Sequence, residues 1–262
     1  MKRSIVYIIA LFVCSISLTS YPSNPVKNNL DKPIDKNDLL YFKSFGATSE
    51  PNKTIVIYLH GDTGHRKVGS YMVDEASNVA ESNSVIGVAI LRPGVADKHG
   101  NRSPGVQDAS DDNKTPQNNA AVANTIKYLK GKYKASRVVG VGHSGGSIML
   151  ASIIGLYPNL LDAVVLASTV CDIPPYRIKR KGVNRWTRSQ SAKNYAQNIS
   201  PDTVIRIITG ELDGNTLVEF AKDCEAVFKK YNLNVKTTIV KGGTHKFRTI
   251  RSVVRGHVDD LL

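Results

Sequence analysis

Apolar residues along this chain fall in short dense runs separated by longer stretches of mixed pattern. Residues 54–59, 85–91, 137–142, 161–167, 203–209 and 235–240 are strand-length runs rich in Val, Ile and Leu. β-branched runs with little polar alternation belong to strands buried on both faces. The intervening segments are long enough for helices. Residues 69–82 and 147–156 predict two, and Thr115-Pro116 opens a third that runs to about Tyr133, with threonine as cap and proline at the first position. Another helix follows residue 213 and carries Asp223, and a helical tail covers about 249–262. Strands alternating with helices require a mainly parallel sheet covered on both faces, so the fold class is α/β with a doubly wound sheet flanked by helices.

The N-terminus does not follow this pattern. Lys2-Arg3 precedes an apolar run over 5–18, then small polar residues and Pro22. This is the layout of a signal peptide, assigned here to 1–22. The run falls short of the about 20 apolar residues that span a bilayer. A retained anchor and a lipid-modified Cys14 are the other readings. Residues 23–40, rich in Asn, Pro and Lys, read as a flexible leader. The expected location is therefore outside the cytoplasm, periplasmic or secreted. Residues 41–262 then form one domain, and at 41% hydrophobic residues the chain can bury one sizeable core. Export brings Cys171 and Cys224 into question as a pair: a disulfide and two buried free thiols both fit the sequence.

Two insertions interrupt the alternation. Residues 92–114 make a long polar loop beyond a strand end, and loops of this length in compact domains are usually functional or disordered. Residues 171–201 hold Arg177, Lys179, Arg180, Lys181, Arg185, Arg188 and Lys193, interleaved with Tyr176, Trp186 and Tyr195. This is the most basic segment of a chain whose formal net charge is +13. It fits an anionic substrate or a peripheral contact with lipid head groups, and equally a solvated surface. An exported chain without a nucleic-acid motif argues against nucleic acid as a partner.

Gly142-His143-Ser144-Gly145-Gly146 joins the strand at 137–142 to the helix at 147–156. In a G-x-S-x-G turn the serine takes a strained conformation that exposes its hydroxyl, and the glycines keep side chains out of the crowded junction. The alternative is a glycine-rich turn that only packs tightly. A nucleophilic serine needs a histidine base and a carboxylate to orient it. Asp213 follows the strand at 203–209, and His245 follows Gly242-Gly243 after the strand at 235–240. Glu211 is the nearest competing acid.

The order Ser144, Asp213, His245 on this background resembles the α/β-hydrolase superfamily, from about Tyr41 to the C-terminus. The resemblance implies an α/β-hydrolase fold with 171–201 as a lid-like insertion. It also implies that His60-Gly61-Asp62 is the loop supplying half of an oxyanion hole, with backbone N–H donors from Gly145 and Asp62. The family often carries glycine where Asp62 stands. His60, Gly61, Arg180 and Lys181 are expected to contact substrate. No metal or organic cofactor is implied. The expected activity is ester hydrolysis by a monomer through an acyl-enzyme, acting on a small ester. A small peptidase or amidase of the prolyl-oligopeptidase type, acting on a short peptide, is the second reading. A binding protein that kept the fold without its chemistry is the third.

Overall fold

A computed structural model describes residues 35, 38–46, 54–64 and 66–262. The expected signal peptide at 1–22 and most of the leader at 23–40 lie outside the described residues. Seven strands form one sheet: β1 (Phe42–Phe45), β2 (Thr54–Leu59), β3 (Ile86–Ile90), β4 (Arg137–His143), β5 (Ala163–Ala167), β6 (Val204–Gly210) and β7 (Asn234–Val240). Their spatial order is β1-β3-β2-β4-β5-β6-β7. β1 runs antiparallel on β3, and the remaining pairs are parallel. The helices are α1 (Tyr71–Ser82), α2 (Pro116–Lys132), α3 (Gly145–Leu156), α4 (Ile173–Lys181), α5 (Val218–Lys229) and α6 (Arg251–Asp259).

Strand alternation divides the core in two. On β2, Ile55, Ile57 and Leu59 face a layer shared with α2, α3 and α5, while Val56 and Tyr58 face one shared with α1 and α6. Thr115 caps α2 as expected, its hydroxyl accepting the Asn118 N–H at 3.3 Å. The register aligns Leu59 with Gly142, Gly142 with Leu166, and Ala167 with Ile208. The C-terminal ends of the central strands therefore finish level, and the loops that follow them meet at one edge of the sheet.

Two elements depart from the sequence expectation. The short edge strand β1 was not anticipated, nor was α4 inside the basic insertion. Tyr176 of α4 packs with Trp186 and Phe220, beside buried Ile148, Val170 and Ile173. The insertion thus has an apolar underside seated on α3 and α5. Cys171, at its root, is disulfide-bonded to Cys224 of α5. The long polar loop is stitched to it: Trp186 Nε1–H donates to the Ser110 carbonyl at 2.8 Å, and the Arg188 N–H donates to the Asp112 carboxylate at 2.9 Å.

Candidate active site

Ser144 sits between β4 and α3 with φ 51° and ψ −118°, a conformation that costs a non-glycine residue about 1–3 kcal/mol. The surroundings enforce it. The Ser144 N–H donates to the Ala167 carbonyl at 2.8 Å, and its carbonyl accepts from Ser147 Oγ and from the Ile148 N–H. A Cβ on Gly142 would lie 2.6 Å from the Ser147 backbone, and one on Gly146 would lie 2.4 Å from the Leu59 carbonyl oxygen. Strand and helix close to this distance only without side chains at either position.

His245 comes from the loop after β7. Its Nε2 is 3.0 Å from Ser144 Oγ and its Nδ1 is 3.0 Å from Asp213 Oδ2. Nδ1–H therefore donates to the carboxylate, and Nε2 offers its lone pair to the serine hydroxyl. Asp213 is almost fully buried and also accepts the N–H groups of Asn215 and Thr216 and the hydroxyls of Ser168 and Thr216, all at 2.8–2.9 Å. Burial alone would raise its pKa, but His245 and these donors hold it at about 2. The side chain of Asn215 adds a contact absent from the sequence reading: Nδ2 lies 3.0 Å from His245 Nε2, and Oδ1 accepts from the Tyr176 hydroxyl of α4. Glu211 instead accepts the Gly242 N–H.

A second histidine braces the first. The Gly61 N–H donates to the Tyr71 hydroxyl at 2.7 Å, which donates to His143 Nδ1 at 3.1 Å, and His143 Nε2–H donates to the His245 carbonyl at 3.0 Å. Burial, and then the nearby His245, lower the His143 pKa to about 4, so the ring is neutral. The single-residue spacing of His143 from Ser144 gave no sign of this role. Only the fold brings Tyr71 to it.

The backbone of Asp62 is exposed, while its carboxylate turns inward over Gly145. It pairs with Arg92 at 2.8 Å and with Lys114 at 2.6 Å, both cations being buried. Burial acts to raise the Asp62 pKa, and the two cations overcome it and hold the group well below the usual carboxylate range. Lys114 lies with its ammonium 3.9 Å from the Trp186 ring centroid. The N–H groups of Gly145 and Asp62 meet no acceptor among the described residues. The polar 92–114 loop thus contributes two charges to the site, which its composition did not reveal.

The expected substrate contacts fare differently. Gly61 abuts Ser144, since a Cβ on it would stand 3.2 Å from that of the serine. His60 is a correction: its ring is buried, Nδ1–H donates to the Gly61 carbonyl at 2.7 Å, and Nε2 accepts the Arg92 N–H at 3.0 Å. Burial and then Arg92 lower its pKa to about 3. Both nitrogens are used in shaping the loop, so the side chain has none to offer a substrate. Arg180 donates to the Gly214 carbonyl at 3.2 Å, beside Asp213. Lys181 is exposed at the end of α4 and makes no ion pair among the described residues.

A family model described as an alpha/beta hydrolase of unknown function (DUF915) matches residues 47–246. The chain belongs to this family. Solved structures agree on the fold. Esterase PE8 superposes with a TM-score of 0.63 at 15% identity, covering 86% of this chain and 100% of that one. Est1E from Butyrivibrio proteoclasticus, determined with ferulic acid bound, gives 0.63 at 14% identity over 84% and 94%. The acylaminoacyl peptidase of Pyrococcus horikoshii gives 0.63 at 16% identity, covering 83% of this chain and 38% of the peptidase. No curated protein matches the sequence.

Proposed function

We propose that this DUF915 member is an exported serine hydrolase that cleaves carboxylic esters through an acyl-enzyme. The observation that carries the reading is the unbroken hydrogen-bonded line from Ser144 Oγ through His245 to Asp213, with both links at 3.0 Å. His245 Nε2 takes the serine proton as Oγ bonds to the substrate carbonyl carbon, and Asp213 holds the resulting imidazolium. The carbonyl oxygen, now negative, is received by the free N–H groups of Gly145 and Asp62. Collapse expels the alkoxide, which takes the proton from His245. Water then repeats the sequence on the acyl-serine and releases the acid.

Amide cleavage is the second reading, supported by the likeness to the acylaminoacyl peptidase. The same imidazolium can protonate a leaving amine. Export rests on the charged and apolar pattern of 1–22.

The deciding experiment is fluorophosphonate labelling of the purified protein with the adduct mapped by mass spectrometry, beside Ser144→Ala and His245→Ala. An adduct on Ser144 that requires His245 is expected. A folded protein that takes no label would favour a binding role. Matched ester and amide substrates then separate the two chemistries.

A further inference from the structure

Near Ser144 the surface opens into a cleft of about 340 Å³ lined by Gly61, Asp62 and Tyr71 together with Arg66, Lys67 and Lys98. Gly61 touches Ser144, and Tyr71 bonds to His143, so two residues of the cleft wall adjoin the Ser144–His245 site. A second cleft of about 340 Å³ continues from it, sharing Arg66 and Lys67 and adding Arg102.

The charges along this path do not balance. Asp62 is the one carboxylate among the residues lining the first cleft, and it is already shared by Arg92 and Lys114, two buried cations against one anion. Arg66, Lys67 and Lys98 are exposed and form no ion pair among the described residues. Asp97, next to Lys98, is occupied by the N–H groups of His99 and Asn101 and by the Asn101 amide. A concave surface lined by one sign of charge focuses its field into the space it encloses. The orphaned Nε of buried Arg92 marks the same excess of donors over acceptors.

We propose that this cleft is an oxyanion subsite, and that the substrate of Ser144 carries an acidic group such as a carboxylate beyond the scissile bond. The inference rests on the serine-hydrolase reading and places recognition on Arg66 and Lys67 of the β2–α1 loop and Lys98 of the 92–114 loop rather than on Arg180 and Lys181 of the insertion. Lys98, which lines both this cleft and the adjoining apolar chamber, receives the acidic group of a short-chain substrate. Arg66 and Lys67 serve longer ones.

The test compares 4-nitrophenyl hydrogen adipate with its neutral methyl ester, using wild type and the triple variant Arg66→Gln, Lys67→Gln, Lys98→Gln. All three positions are exposed and outside the catalytic machinery. Wild type is expected to favour the acidic ester by about ten-fold in kcat/KM, mostly through KM, with the preference shrinking at about 0.5 M salt. The triple variant is expected to lose the preference while turning over the neutral ester at an unchanged rate. A wild type without preference, or a variant that keeps it, overturns the proposal. Fluorophosphonate labelling of Ser144 in both proteins separates this failure from failure of the hydrolase reading. If the wild type takes no label, calorimetry with monomethyl adipate on the Ser144→Ala protein decides: saturable binding that the triple variant loses supports the subsite, and no binding removes it.

Discussion

The side-chain amide of Asn215 stands 3.0 Å from Nε2 of His245, the nitrogen that also faces the Ser144 hydroxyl. A neutral imidazole nitrogen has one lone pair, so the two donors compete for it. The Tyr176 hydroxyl fixes the contest by donating to Asn215 Oδ1, which turns Nδ2 toward the histidine. Asn215→Ala should leave the lone pair to the serine and raise the fluorophosphonate labelling rate by about three-fold, equivalent to about 0.6 kcal/mol. Tyr176→Phe, which frees the amide to rotate, should move the rate in the same direction by less. A fall in rate for Asn215→Ala would mean that the amide orients the ring.

The Asp62 carboxylate is expected to fix the loop that presents its own N–H. Asp62→Asn keeps the backbone but leaves Arg92 and Lys114 buried without an anion. Removing one partner of a buried ion pair costs about 3–5 kcal/mol. The variant should unfold at markedly lower denaturant concentration, and its labelling should slow. Lys114→Met leaves Asp62 paired with Arg92 and should cost less. Equal unfolding midpoints for all three proteins would contradict the arrangement.

Acid should destabilise the fold through its buried histidines. The rings of His60 and His143 stay neutral in the folded protein down to about 3 and about 4, whereas in the unfolded chain they take protons near the ordinary value of about 6.5. Unfolded chains therefore bind more protons below that value. The stabilisation is complete above pH ~6.5 and drains away as pH falls toward 4 and then 3. For His143 the loss is on the order of 3 kcal/mol. Asp213 adds a further loss as pH drops from about 4 through about 2. Urea unfolding from pH 8 to pH 4 should show the slope, and His143→Gln should flatten it.

Reduction should loosen the insertion. The Cys171–Cys224 bridge closes a loop with a sequence separation of 53, and such a link contributes about 2–4 kcal/mol. The Cys171→Ala, Cys224→Ala protein should unfold earlier in urea by that amount. Wild type in strong reductant should match it, and an untouched midpoint would argue against the link.

Much of this frame was legible because buried parallel strands must be apolar on both faces. Residues 54–59 were read to their ends, and the capped helix at 115–133 differed by one residue at its close. β1 escaped because Phe42–Phe45 is a four-residue edge strand holding Lys43 and Ser44, too short to show a period. α4 escaped because Pro174 and Pro175 in a basic run resemble a loop, although proline is tolerated in a first helical turn. In the site, the positions of Ser144, Asp213 and His245 could be anticipated from the strand ends they follow. Lys114, Arg92, Tyr71 and Asn215 could not, because each is brought in by a loop path or helix docking that leaves no local pattern. His60 was misread because a histidine beside a predicted oxyanion loop looks like a substrate contact, and only the folded loop shows both nitrogens turned inward.

The hydrogen-bonded line from Gly61 through Tyr71 and His143 to the His245 carbonyl ties the β2–α1 loop and the start of α1 to the end of β4 and the loop after β7. Ser144 leaves the ribosome 101 residues ahead of the histidine that would activate it. At about 5–20 residues per second, that is an interval of roughly 5–20 s. During it the serine has no base, and the carbonyl that later receives His143 has not been made. On the proposed serine-hydrolase reading, the nascent chain would carry its reactive group unarmed, and reactivity would arrive only with the docking of β7 and the loop beyond.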